Sequence, residues 1–398
     1  MNNPAAARRQ ILLLVACQAL LYVNNVTLIA VNGLAGLALG PSPLWATLPV
    51  TTYIVGSALT TVPASFAMAR WGRRKGFIFG TAMGFTGTSI AMIAMLTSSF
   101  ALLCFGTFVV GLYNAFAQYL RFAAADVADA YDPSLKERAI AWVLAGGIAG
   151  GIVGPELSKL TRTLLPVEFA GTYIGLAAIA FIAMLVASRL RIPHGHAAAH
   201  GPARPLKAIA AQPAFAVAVF VGAVSYGAMN LLMTATPLAM KVCGFGYPEA
   251  ADVIKWHVVA MFAPGFFTGH LIRRFGTLPV MLAGCATMFA TMAIAHHGLT
   301  YWHFWSALVL LGLGWNFMFV GATTLLTTTY TPAEKAKAQG ANDLIVFLTM
   351  ITSSAASGAL LSATGWTDLN LWSLPFVALA AVAIVVLMLR PATRPATA

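Results

Sequence analysis

Residues Arg70 to Lys75 read R-W-G-R-R-K, four cations within six positions, wedged between two long apolar stretches near 44–68 and 77–97. A hydrocarbon core roughly 30 Å thick takes about 20 apolar residues as a helix. A cationic hinge between two such runs therefore reads as a short loop that turns the chain back into a membrane. Working outward, the same pattern recurs. Apolar spans lie near 11–34, 44–68, 77–97, 100–123, 139–160 and 170–190, then near 213–237, 247–271, 277–297, 303–327, 341–362 and 369–389. The basic residues fall in every second gap. Arg8 and Arg9 precede span 1; Lys136 and Arg138 follow span 4; Arg189, Arg191, Arg204 and Lys207 follow span 6. Arg273 and Arg274 follow span 8, Lys335 and Lys337 span 10, and Arg390 and Arg394 span 12. With the opening cluster these are 18 of the 23 Lys and Arg, all on one side of a twelve-span chain. Only Lys159, Arg162, Lys241 and Lys255 fall on the other side, and Arg121 lies late in span 4. Positive residues collect on cytoplasmic loops, so both termini are expected in the cytoplasm of a multi-pass protein. An odd span count would scramble the alternation.

Composition supports this. Of 398 residues 60% are apolar and 9% charged, where a soluble domain carries about 25% charge. Too few charges remain to cover a large soluble globule, and a disordered chain needs the opposite composition. The net charge of +12 is scattered in short clusters, with no basic face or nucleic-acid motif. Cys17, Cys104, Cys243 and Cys285 are far apart, which leaves a zinc site or a disulfide framework unsupported. The first apolar run is too long for a signal peptide and lacks a clear cleavage pattern. The fold class is an all-α membrane protein of twelve transmembrane helices in a lipid bilayer.

The chain also repeats itself. "PSLKERA" from Pro133 to Ala139 returns as "PAEKAKA" from Pro332 to Ala338, an offset of 199, and Gly72 of "RWGRR" pairs with Gly276 of "RRFG", an offset of 204. Two six-helix pseudo-repeat halves fit, at 1–190 and 213–398, joined by a cytoplasmic linker at 191–212.

These features resemble the major facilitator superfamily. The run at Arg70 is similar to that family's signature between helices 2 and 3, except that the customary Asp before the first Arg is Ala69. The charge lock that this Asp supports is then weaker or supplied by other groups. "GIVGPEL" (Gly151 to Leu157) is similar to a glycine–proline motif of antiporters but lacks its trailing glycines, so antiport is not inferred. The resemblance implies alternating access around a midplane site. It says little about substrate, because such folds host many functions.

Polar groups inside spans are costly and are functional candidates. They include Asn24, Asn25, Asn114, Arg121, Glu156, His257, Asn316 and Asp343. Arg121, Glu156 and Asp343 are candidates for gating or coupling; Asn114 and Asn316, in comparable places, are also explained by interhelical hydrogen bonds. Spans 7 and 8 carry two pairs at i, i+4 spacing, Met229 with Met233 and His257 with Met261. Such pairs share a helix face, and their depths match on neighbouring helices. Three thioethers and an imidazole suit a soft metal such as Cu(I), while flexible Met is also common packing filler. The pairing resembles the CcoA-like bacterial copper importers. That resemblance implies copper as transported substrate, with no resident cofactor, imported across the bacterial cytoplasmic (inner) membrane for haem–copper cytochrome oxidase assembly. It implies Met229 and His257 as the chief ligands, Met233 and Met261 in support, and hand-over to a cytoplasmic copper carrier. Met240 and Cys243 are accessory metal candidates at the outer end of span 7, and His194, His196 and His200 lie in the linker.

The alternative is a carrier of a small organic molecule, by riboflavin-like uptake or drug-like efflux, with a cavity lined by Tyr113, Asn114, Trp315 and Asn316. A related riboflavin-transporting branch of the superfamily keeps the fold without needing these ligands. An enzyme is not expected, since no nucleophile–base pair or hydrolase motif is present.

Overall fold

A computed structural model describes residues 4–131, 135–192 and 202–390. The chain is all-α. The helices before the linker are α1 (Pro4–Leu39), α2 (Leu48–Trp71), α3 (Arg73–Leu96), α4 (Phe100–Ala117), α5 (Leu120–Tyr131), α6 (Lys136–Thr161) and α7 (Ala170–Ala187). A short α8 (Leu206–Ala210) lies in the linker. After it come α9 (Pro213–Val242), α10 (Tyr247–Phe262), α11 (Gly265–Phe275), α12 (Thr277–His297), α13 (Tyr301–Thr327), α14 (Lys335–Leu371) and α15 (Leu374–Leu389). Among the described residues, ten helical stretches are long and apolar enough to cross a membrane. The stretch from Lys335 to Leu389 holds both α14 and α15, and α10 with α11 makes one further interrupted passage, which together account for twelve.

Local sequence explains the interruptions. Span 8 divides after Phe262, where Pro264 has no N–H to continue the ladder. Its counterpart 201 positions earlier, Pro63, is absorbed within α2. Span 4 divides at Gln118 and Tyr119, and α14 kinks at Gly365 (φ 76°). The cationic hinge from Arg70 to Lys75 turns on a single residue. Gly72 links α2 to α3 at φ 84°, ψ 153°, and Gly276 links α11 to α12 at φ 90°, ψ 161°.

With lipid outside, helices associate by close packing rather than by hydrophobic exclusion, and small residues let backbones approach. On α6, Gly146, Gly150 and Gly154 face Val15, Ala19 and Val23 of α1; a Cβ at Gly150 would lie 2.3 Å from the Ala19 carbonyl oxygen. Gly56 and Gly111 join α2 to α4 in the same way. Within the antiporter-like stretch, Gly154 belongs to this ladder, while a Cβ at Gly151 would meet the Val258 side chain of α10 at 2.6 Å.

The two sets of helices meet at the end of the bundle away from the linker, called here the far end. Tyr247 Oη donates to Ser158 Oγ at 2.6 Å, Thr51 Oγ1 to Ser354 Oγ at 3.0 Å, and the Gly358 N–H to Thr47 Oγ1 at 3.2 Å. Among the described residues, every hydrogen bond between the two sets lies towards this end.

Candidate functional site

Near the middle of the bundle the chain builds a box of aromatic rings. On α13, Trp315 and Phe319 are one turn apart and stack at 5.1 Å with 17° between planes. Tyr226 of α9 stands edge-on to both, at 5.2 Å and 4.8 Å. Phe262, the last residue of α10, meets Trp315 at 6.1 Å and reaches across to Tyr22 of α1 at 5.1 Å. Trp315 lies ~21 Å along a helix of ~40 Å, hence near its midpoint. Edge-to-face pairs contribute about 0.5–1.5 kcal/mol each beyond burial, so the box is firm. It joins the first-half and second-half helices where alternating access places a site. Its polar edges are unpartnered. Trp315 Nε1 is buried with no partner, and among the described residues neither the Tyr22 nor the Tyr226 hydroxyl makes a hydrogen bond.

The asparagines are placed differently. Asn114 Oδ1 accepts from Asn25 at 3.0 Å and its Nδ2 donates to Ser57 Oγ at 2.8 Å, while Tyr53 donates to Asn25 Oδ1 at 2.7 Å. Asn316 Oδ1 accepts from Thr268 at 2.6 Å and its Nδ2 donates to the Met261 carbonyl at 2.7 Å. Both side chains tie helices together. Tyr113 is buried, its ring against Gly84 of α3. Of the four residues expected to line an organic cavity, Trp315 is the one in the box. Tyr22, Tyr226, Phe262 and Phe319 were missed. The available signal was aromatic residues at mid-span, and it was masked by the 24 Phe and 10 Tyr of the chain.

Met229, Met233 and Met261 are buried in one apolar core with Met240. His257 is fully buried; its Nδ1 donates to the Leu308 carbonyl at 2.7 Å and its Nε2 has no partner. Cys243 caps α9 and is half-buried. No group of three or more His, Cys, Asp or Glu able to hold a metal occurs among the described residues. His194, His196 and His200 lie outside the described residues.

The charged candidates divide between the two ends. Glu156 of α6 accepts from Lys159 and, across the halves, from Lys255 of α10, both at 2.8 Å. Asp252 pairs with Lys255 and lies 3.5 Å from Lys159, closing a neutral cluster of two acids and two bases at the far end. Arg121 and Asp343, from opposite halves, are exposed towards the linker end. Arg121 covers the Phe122 ring at 4.9 Å and Asp343 accepts from Asn342, with no ion pair between them. Arg73 of the basic signature donates to Asp126 of α5. In the loop before α14, Glu334 is 1% exposed and receives a two-pronged bond from Arg204, at 2.7 Å and 2.8 Å. The Arg204 guanidinium holds the Glu334 carboxyl well below the usual carboxylate range.

The pattern of the major facilitator superfamily matches residues 14–330 and 257–398. The chain is 41% identical over 395 residues to riboflavin transporter RfnT of Brucella anthropi, covering 98% of each protein. It is 29% identical over 347 residues to the uncharacterised MFS-type transporter YddS of Bacillus subtilis, 81% of this chain and 78% of that one. In solved structures the same fold occurs in the nucleoside transporter NupG (TM-score 0.71, 14% identity, 96% of this chain and 100% of that one). It also occurs in the human organic anion transporter MFSD10 (TM-score 0.69, 13% identity, 95% and 99%).

The RfnT relationship corrects the expectation of copper import. A relative this similar along its whole length is a riboflavin transporter, and copper uptake, a copper carrier and oxidase assembly lose their support. The physical reason is that Met at helical spacing fills cores as readily as it binds metal, and Met229, Met233 and Met261 are core residues here. A multi-pass, non-enzymatic transporter is what the fold and its relatives establish: the chain belongs to the major facilitator superfamily.

Proposed function

We propose that this chain moves riboflavin, or a closely similar flavin, into the cell across the bacterial cytoplasmic membrane by alternating access. The observation that carries this reading is the 41% identity to a riboflavin transporter over 98% of both chains. The aromatic box agrees with it. A flavin is a flat, uncharged heteroaromatic ring bearing a polyhydroxyl chain, and Tyr22, Tyr226, Phe262, Trp315 and Phe319 offer ring faces with no charge among them. The basic loops of the linker end agree with a cytoplasmic position for that end and for both termini. The far-end cluster of Glu156, Lys159, Asp252 and Lys255 acts as the gate on the opposite side. Arg121 and Asp343 are placed to pair when the linker end closes.

The test is growth of a bacterium unable to make riboflavin, supplied with micromolar riboflavin and expressing either wild type or Tyr226→Ala at matched membrane abundance. Wild type is expected to restore growth and the variant to require roughly tenfold more riboflavin, the equivalent of about 1.4 kcal/mol. No rescue by wild type removes the proposal.

A further inference from the structure

We propose that Trp315 is a specificity-determining residue, its indole N–H donating to a carbonyl on the edge of a planar heteroaromatic substrate. This rests on the transport reading above and names a contact that distinguishes a flat ring with a carbonyl edge, such as a flavin, from one without it.

Trp315 carries an unsatisfied donor. A buried indole N–H ordinarily finds an acceptor, yet Trp315 Nε1 has none. Its surroundings explain why no protein group serves. Phe319 covers the indole face, and Tyr226 and Phe262 stand edge-on around it. The adjacent amide, Asn316, is held by Thr268 and the Met261 carbonyl. A phenylalanine at this position would give stacking without an unsatisfied polar atom. The other buried unpartnered atoms, on Asn24, Thr27, Thr234, His257, Asn370 and Ser373, belong to none of the rings of the box. Among the described residues, Trp315 is the one ring of the box whose polar atom is both fully buried and idle. Through Phe262 and Tyr22 it is also one ring removed from the other half of the molecule. A flavin fits this chemistry because its pyrimidinedione edge carries two carbonyls beside the plane that stacks. A site built to hydrogen-bond its substrate rejects flat analogues lacking that group.

The test is riboflavin uptake by the full chain in the same auxotrophic cells, with lumiflavin and phenazine as competitors. Both are flat tricycles, and only lumiflavin has the carbonyl edge. Wild type is expected to be inhibited by lumiflavin at about a tenth of the phenazine concentration or less. Trp315→Phe is expected to raise KM for riboflavin by about threefold to tenfold, as loss of one hydrogen bond predicts. Its Vmax should hold and its preference for lumiflavin should shrink by the same factor. An unchanged KM and an unchanged preference in Trp315→Phe overturn the proposal and assign the N–H to a neighbouring ring face. Should the variant fail to reach the membrane, the wild-type competition decides, and equal inhibition by the two tricycles overturns the proposal. If wild type takes up no riboflavin, the transport reading itself falls, and this assignment with it.

Discussion

Gly72 takes φ 84° and ψ 153°, and Gly276 takes φ 90° and ψ 161°, a region of backbone space that is essentially glycine's alone and costs other residues ~1–3 kcal/mol. The glycines of the repeated cationic motifs are therefore backbone requirements of one-residue helix links. Gly72→Ala is expected to destabilise the protein by about 1–3 kcal/mol, read as a lower thermal midpoint in detergent; an unchanged midpoint would contradict this. The Glu334 carboxylate sets a pH dependence. Its pKa is lowered by Arg204, so its contribution to stability is fully present above the ordinary glutamate range and fades as pH falls through it towards the lowered value. The thermal advantage of wild type over Glu334→Gln should accordingly be constant near neutrality and shrink below about pH 4; an advantage that grows in acid would refute the assignment. Single residues were legible in the sequence where backbone or charge pattern dictates them, as at Gly72 and the cations around it. Pairings across sequence were not. Arg73 finds Asp126 and Arg204 finds Glu334, because tertiary packing alone brings positions so distant together. The Met and His pairs were legible as spacing, but spacing does not distinguish ligand from filler.

At the scale of elements, the glycine ladder of α6 fixes how closely α1 approaches. A side chain at Gly150 would drive into the Ala19 carbonyl, whereas one at Gly269 on α11 meets nothing within 4 Å. Gly150→Leu is expected to cost at least ~1–3 kcal/mol through overpacking, while Gly269→Ala is neutral or gains up to about 1 kcal/mol from helix propensity. Thermal midpoints of the two variants check this, and similar losses in both would contradict it. Most of the apolar runs reappear as helices long and apolar enough to cross a membrane, and twelve passages fit the described helices, since length and hydropathy are properties of the run itself. The internal breaks are not. Pro63 and Pro264 occupy repeat-related positions, yet one lies inside α2 and the other ends α10. That difference depends on what packs around each proline, which a single chain of letters does not display.

Across the whole molecule, the bonds between halves gather at the far end while Arg121 and Asp343 stand exposed towards the linker end. The structure is thus closed on one side and open to the other, as alternating access requires of one of its states. Lys255 binds both Glu156 and Asp252, so Lys255→Ala should loosen the closed end. A cysteine placed at Thr51, in a background lacking Cys17, Cys104, Cys243 and Cys285, should then react faster with a membrane-impermeant maleimide than in the parent; equal rates would show that the cluster is not a gate. The architecture was legible from charge alternation and repeats, but the aromatic box was not, because its rings lie far apart in sequence and look like ordinary membrane aromatics. Flavin transport, as proposed, is tested by uptake of radiolabelled riboflavin by purified protein in proteoliposomes preloaded with unlabelled riboflavin. Time-dependent accumulation above protein-free vesicles is expected, inhibited by lumiflavin and reduced in Tyr226→Ala. Accumulation no greater than in empty vesicles, with the protein folded and correctly inserted, would contradict it.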